Sequence, residues 1–137
     1  MAGYSATPLA KKLGIKENFK IKLINAPDYY LKLFSDMPKG IKYTDDWKSK
    51  KDFIHYFETS LQNLNNNIPK LKSELLPDGM IWISWYKKSA GIKTDVTEDT
   101  IRNFALKNGL VDIKVCAVSE IWSGLKLVVP VKLRVRK

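Results

Sequence analysis

The stretch FKIKLINAPDYY, residues 19–30, decides how the rest of the chain is read. Phe19, Ile21, Leu23 and Ile24 have the apolar, β-branched character of a strand, placed at 19–25. Asn25-Ala26-Pro27 then turns the chain. Pro27, with its fixed φ and missing N–H, suits the first turn of a helix over roughly 27–36. A strand that turns straight into a helix is the opening of an α/β chain. The turn holds no glycine, so its backbone is screened by side chains and a proline ring.

Working outward, the residues on both sides continue the alternation. Upstream, Thr7 can cap a short helix with Pro8 at its first position, Leu9 and Leu13 on one face and Gly14 as its stop. Downstream, Tyr30, Leu31 and Phe34 form the apolar stripe of the helix at 27–36. Pro38-Lys39-Gly40 breaks it, and Ile41-Lys42-Tyr43 begins a brief second strand. DFIHYFE at 52–58 fits a strand buried on both faces. Ser60 caps a helix with Leu61, Leu64, Ile68, Leu71 and Leu75 at spacings of three and four, and Pro69 predicts a kink there or two short helices. Pro77-Asp78-Gly79 reads as a tight turn before a strand at 80–86. After the lysine-bearing loop 87–94, a helix at 97–107 is capped by Asp95 with Glu98, or by Thr97 alone, and ended by Gly109. Strands at 111–118 and 125–133 close the chain as an antiparallel hairpin across SEIWSG. The tail VKLRVRK at 131–137 reads as an edge strand blunted by charge.

This order predicts an α/β, Rossmann-like three-layer sandwich with a mostly parallel sheet and a C-terminal antiparallel hairpin, built as one domain over 1–137. Hydrophobic residues are 45% of the chain, enough for a core. Cys116 is the only cysteine, which leaves no internal disulfide. The opening residues lack a signal peptide's apolar run, and no stretch is long and apolar enough to span a membrane. A cytoplasmic location is the expectation. The net charge is +10, but of the 24 basic residues only Arg102, Arg134 and Arg136 are arginine. Readers of phosphates and bases favour arginine forks, so the charge reads as a solvated lysine surface without a specific nucleic-acid partner.

Candidate chemistry is sparse. His55 is the only histidine and lies in an aromatic run, where a structural role is expected; Cys116 sits mid-strand as an inert thiol. No HExxH, GxSxG or phosphate-loop motif occurs, and no metal set is expected. Ligands of open α/β sheets bind beyond the carboxyl ends of the strands. That edge gathers Asn25, then Trp85 and Tyr86 as a stacking face, then Lys87, Lys88, Lys93, Thr94 and Asp95 in a loop leading into a helix, a place suited to an anionic small molecule. Trp122, in the hairpin loop, is expected to fold back onto the sheet, with projection as an interface candidate the alternative.

MAGYSATPLAKKLGIK at 1–16, LINAP at 23–27, KTDVTEDTIR at 93–102 and GLVDIKVCAVSEIWSGLKLVV at 109–129 resemble a family of small bacterial proteins classed as a domain of unknown function. LLPDGMIWISW at 75–85, the helix after it and the closing hairpin resemble, at the level of fold, the class I S-adenosylmethionine-dependent methyltransferases. That resemblance implies a glycine-rich cofactor turn after the first strand and an acidic residue ending the second. Here Asn25-Ala26-Pro27 stands at the first place and Asp45 or Asp46 at the second. The expectation is therefore a non-enzymatic binding or regulatory domain on a methyltransferase-like scaffold, with no cofactor predicted and S-adenosylmethionine the one such a scaffold could hold. The alternatives are a small transferase-like enzyme acting on an anionic or phosphate-bearing molecule at the 87–94 loop, and a weak nucleic-acid binder through general charge.

Overall fold

The computed structural model describes residues 7–134. Residues 1–6 of the opening motif and 135–137 of the basic tail lie outside that range. Its strands are β1 (Lys20–Ile24), β2 (Lys42–Tyr43), β3 (Lys51–Phe57), β4 (Leu75–Tyr86), β5 (Val111–Ala117) and β6 (Trp122–Val128); its helices are α1 (Leu9–Leu13), α2 (Leu61–Ser73) and α3 (Glu98–Lys107). The strands form one sheet in the order β2-β1-β3-β4-β6-β5. β1 to β4 run parallel, and β6 and β5 return antiparallel. The predicted α/β sheet with its terminal hairpin is thus the observed one.

β3 is the central strand, and Phe53 to Phe57 are all buried, as a strand covered on both faces requires. On one face, Leu64, Ile68 and Leu71 of α2 and Ile101 and Ala105 of α3 close over Ile54, Tyr56, Ile81 and Ile83. The other face carries α1, whose Leu13 carbonyl accepts the Trp82 indole N–H at 2.9 Å. Trp82 passes so close to β6 that a Cβ at Gly124 would stand 3.0 Å from its ring, which explains a glycine inside a buried strand.

Several expected elements differ. The helix at 27–36 is only a 3-10 turn, Tyr30–Leu33, of which Tyr30 alone is buried; one buried side chain cannot hold a full amphipathic helix. α2 runs unbroken through Pro69. The proline and Asn65, whose carbonyl loses its helical partner, are both exposed, while Leu64, Ile68 and Leu71 stay anchored. Pro77-Asp78-Gly79 is absorbed into β4 as an irregularity, with Leu75 opposite Lys51 but Met80 opposite Phe53. A Cβ at Gly79 would meet the Lys51 carbonyl at 2.9 Å. In the hairpin, Trp122, Ser123 and Gly124 belong to β6, and Ser119 makes the turn by accepting the N–H groups of Ile121 and Trp122. After Pro130 the chain forms a 3-10 turn, Val131–Leu133, in place of the expected edge strand; Pro130 cannot donate to a ladder.

Caps divide into local and remote. Ser60 accepts the Asn63 N–H, and Thr97 with Thr100 forms a reciprocal capping box on α3. The start of α1 is held by Asp36, which accepts the N–H groups of Ala10 and Lys11, while Pro8 occupies the cap position and provides no side-chain bond there.

Candidate functional site

The carboxyl ends of β1, β3 and β4 meet at one edge of the sheet. β1 is followed by Asn25, whose φ of +57° lies in the left-handed region that glycine ordinarily supplies. Asparagine tolerates that conformation, so the turn reaches a glycine-like geometry without glycine. The Asn25 side chain is drawn aside, its Nδ2 donating to the Phe57 carbonyl at 3.1 Å across the strand ends. The Pro27 carbonyl accepts the Tyr30 N–H and starts the 3-10 turn.

β3 ends in Phe57 and is followed by the buried Glu58. One Glu58 oxygen accepts the Tyr56 hydroxyl at 2.5 Å; the other accepts the N–H groups of Thr59 and Ser60, each at 2.9 Å. Asn67 of α2 donates to the Tyr56 oxygen at 2.8 Å. Burial, with the Glu58 carboxylate alongside, pushes the Tyr56 phenol well above its ordinary pKa, so it stays a donor. Glu58 therefore shapes the junction between β3 and α2.

β4 delivers Tyr86, which stacks on Trp122 with ring centroids 4.2 Å apart; Trp122 meets the Phe57 ring edge-on at 4.9 Å. Trp122 is 6% exposed. Of the two readings of Trp122, the folded-back one is observed: it forms the wall of a cleft of about 440 Å³ with Asn25, Pro27, Tyr29, Glu58 and Tyr86.

A second cleft, about 660 Å³, is also lined by Tyr86. It brings together the predicted Trp85, Tyr86, Lys87, Lys88, Lys93 and Thr94. Asn25 belongs to the first cleft, and Tyr86 lines both. Asp95 points elsewhere and accepts the Leu61 N–H at 2.8 Å, so that it caps α2 from 34 residues away. Thr94 donates to the Thr59 carbonyl at 2.7 Å and accepts from Val96. The loop is fastened to the β3–α2 junction by these two residues. Glu98 and Asp99 also line the cleft, a role the sequence reading does not give them. Arg102 binds both, and Asp112 besides, so its guanidinium offsets their charge beside the three lysines. The i, i+3 and i, i+4 spacings of Asp99 and Glu98 to Arg102 carry that signal.

Beyond the short β2, Tyr43, Thr44 and Asp45 border a shallow cleft of about 410 Å³ with Ile21, Leu23 and Leu31. Asp46 is committed to its own loop, where hydrogen bonds from the Ser49 N–H and hydroxyl and from Thr44 hold its carboxyl far below the usual range.

His55 is fully buried, with Nδ1 2.9 Å from the Tyr30 hydroxyl and Nε2 2.8 Å from Ser84 Oγ. Burial lowers its pKa to about 3, so the ring is neutral and part of the core. Cys116 is half-buried, and burial raises its thiol pKa. Among the described residues, no three His, Cys, Asp or Glu side chains converge as a metal-ligand set, and no helix is long and apolar enough to cross a membrane.

Neither a family model nor a curated protein matches this chain, so the resemblance drawn from the terminal motifs gains no support there. Solved structures do match. A SAM-dependent methyltransferase from Aquifex aeolicus superposes with a TM-score of 0.59 at 15% identity, over 85% of each chain. Precorrin-6y C5,15-methyltransferase from Geobacter metallireducens gives 0.58 at 9% identity, over 88% of this chain and 85% of that one. Magnesium protoporphyrin IX methyltransferase from Synechocystis PCC 6803 with bound SAM gives 0.56 at 12% identity, over 88% and 74%. At such identities the likeness is one of fold, and it bears out the methyltransferase-like, Rossmann-like architecture. It also corrects the expectation of a non-enzymatic binding domain, because these three solved structures that share the scaffold are methyltransferases.

Proposed function

We propose that this protein is a small methyltransferase-like enzyme acting on an anionic or phosphate-bearing small molecule, at the pair of clefts that share Tyr86. The observation that carries the reading is that shared wall. Tyr86 lines both the lysine-lined cleft and the cleft at the ends of β1 and β3, so the two adjoin at one residue and two ligands could meet there.

The residues present fit S-adenosylmethionine on two counts. Asn25 holds the left-handed φ that a cofactor turn needs and swings its side chain onto Phe57. In the third, shallow cleft beyond β2, the exposed Asp45 is a carboxylate suited to a ribose diol, with Tyr43 and Leu31 as apolar neighbours for a base, so the donor would occupy this cleft in addition to the pair that shares Tyr86. S-adenosylmethionine, when bound, supplies an electrophilic methyl group. The acceptor side falls to this chain's own groups. Lys87, Lys88 and Lys93 attract and orient an anion, and Tyr86 stacked on Trp122 gives a flat wall for a planar portion of it. An acceptor oxygen that already carries negative charge needs no protein base, so positioning is the main demand on the protein.

The test is calorimetric titration with S-adenosylmethionine and S-adenosylhomocysteine, followed by methyl transfer from labelled donor to a panel of phosphate and carboxylate metabolites. Binding tighter than about 1 mM, weakened by Asp45→Ala, is the expected result. Transfer should fall in the joint Lys87→Ala, Lys88→Ala, Lys93→Ala variant. No heat with either nucleoside at millimolar concentration would sink the proposal.

A further inference from the structure

At the opposite pole of the sheet, a cavity of about 600 Å³ opens between the start of β4, the residues after β6 and the turn Val131–Leu133. Its walls are Leu75, Leu76, Pro77, Val129 and Leu133. Leu133 is 56% exposed, an apolar surface left to water at the edge of an apolar hollow. The charged side chains that line it are all cationic: Lys50, Lys72 and Arg134. Among the described residues, none of the three forms an ion pair with a carboxylate. Lys50 donates to the Ser73 carbonyl at 2.5 Å, and the Arg134 Nε to the Val129 carbonyl at 3.0 Å. Lys72 leans over Gly109, where a Cβ would stand 2.6 Å from its ammonium nitrogen. Gly109, at φ +74°, ends α3 and leaves the space in which that cation sits.

We propose that this cavity binds a free fatty carboxylate, its acyl chain along Leu75, Leu76, Val129 and Leu133 and its carboxylate held by Lys72 and Arg134. Three features argue for that occupant. The volume lies within the range of small-ligand sites. The apolar walls need an apolar guest, and each methylene they bury tightens binding about fourfold. The three cations, none of them ion-paired to a carboxylate among the described residues, favour an anionic head group, which a neutral apolar guest would not supply. The cavity is independent of the proposed transferase site, which lies at the other end of the strands.

Calorimetric titration of the full chain with octanoate, decanoate and dodecanoate below their micelle concentrations tests it. The dissociation constant should fall about 15-fold for each two-carbon step, and dodecyltrimethylammonium should not bind. The pair Lys72→Glu with Arg134→Glu should weaken dodecanoate binding at least about tenfold, while the pair Lys32→Glu with Lys39→Glu, a matched charge change at exposed positions outside the cavity lining, should leave it unchanged. Equal affinity at all chain lengths, or equal binding of the cationic surfactant, would overturn the proposal on the unaltered chain alone. So would double-variant binding equal to that of the parent. A chain ending at Arg134 that binds dodecanoate tenfold tighter than the full chain would assign the cavity to residues 135–137 instead. Phosphatidylglycerol vesicles bound in place of free dodecanoate would assign it to a membrane surface.

Discussion

At the start of β3, Lys51 lies 2.8 Å from a Glu74 oxygen that Lys22 also reaches, at 2.7 Å. Four residues further along the same strand, His55 sits between Tyr30 and Ser84 in a chain of neutral hydrogen bonds. Both clusters are buried, and the two obey opposite rules. The first persists only while it is charged. Burial by itself would raise the Glu74 carboxyl, but the hydrogen bonds and charges of Lys22 and Lys51 outweigh that and hold it below the ordinary value. The second persists only while it is uncharged, because burial opposes a proton on His55 and opposes ionisation of Tyr30. Acid therefore attacks them in sequence. Ionisable residue types in the interior of this protein bind its strands together.

Removing the shared carboxylate should have the largest effect. Glu74→Ala leaves two buried ammonium groups facing each other, at a cost of about 3–5 kcal/mol in urea unfolding. That is a large part of the stability of a domain this size. Replacing all three together, Lys22→Met, Lys51→Met and Glu74→Leu, should cost far less, because no uncompensated charge is left behind. A Glu74→Ala loss below about 1 kcal/mol would break the comparison, since the triad would then behave as an exposed ion pair.

Acid titration separates the clusters. The unfolded chain takes up a proton at His55 near the ordinary value of 6.5, and the folded chain only near 3. Stability contributed by the neutral ring is thus complete above 6.5 and is lost as pH falls, by about 2 kcal/mol between pH 7 and pH 5. Glu74, with its folded pKa depressed, contributes stability above its unfolded value of 4.5 and loses it only as pH falls further. His55→Phe should lower stability at pH 7 by about 1–3 kcal/mol, through the two hydroxyls it strands, and should flatten the slope from pH 7 to 5. Urea midpoints at pH 7, 5 and 4 measure both. An unchanged slope in that variant would assign it to other groups.

What can be read from the sequence follows the same division between local and distant. Ser60 and Thr97 announce α2 and α3 because a cap and its helix are neighbours in sequence. Asp36 and Asp95 carry no such announcement for α1 and α2, because each reaches a helix 25 or more residues away. The helix expected at 27–36 fails for a related reason: its stripe of Tyr30, Leu31 and Phe34 is locally sound, yet only Tyr30 finds a place in the core. His55 looks isolated in the sequence because its partners lie 25 and 29 residues away. At the site, Trp85 to Lys88 and Lys93 are legible as the end of a strand and its loop. The role of Asn25 is half-legible: the absence of glycine is plain, but the left-handed φ that asparagine supports is not.

Asp95 gives the smallest effect and joins the buried scaffold to the exposed loop. Its carboxylate accepts the Leu61 N–H at 2.8 Å, so it tethers the lysine loop while placing a negative charge two residues along the chain from Lys93. Those two contributions oppose each other for an anionic ligand, and two substitutions separate them. Asp95→Ala removes the cap and the charge, costing about 1 kcal/mol of stability and loosening Lys93. Asp95→Asn keeps an acceptor oxygen for Leu61 and removes only the charge, so stability should hold within about 0.5 kcal/mol while phosphate binds more tightly. Thermal unfolding with and without inorganic phosphate reads both quantities. If both variants lose the same stability and show the same phosphate shift, the tether is not what orders the loop. The lysines would then act as a diffuse charge, with phosphate binding that collapses as salt is raised past the screening length of about 8 Å at 0.15 M.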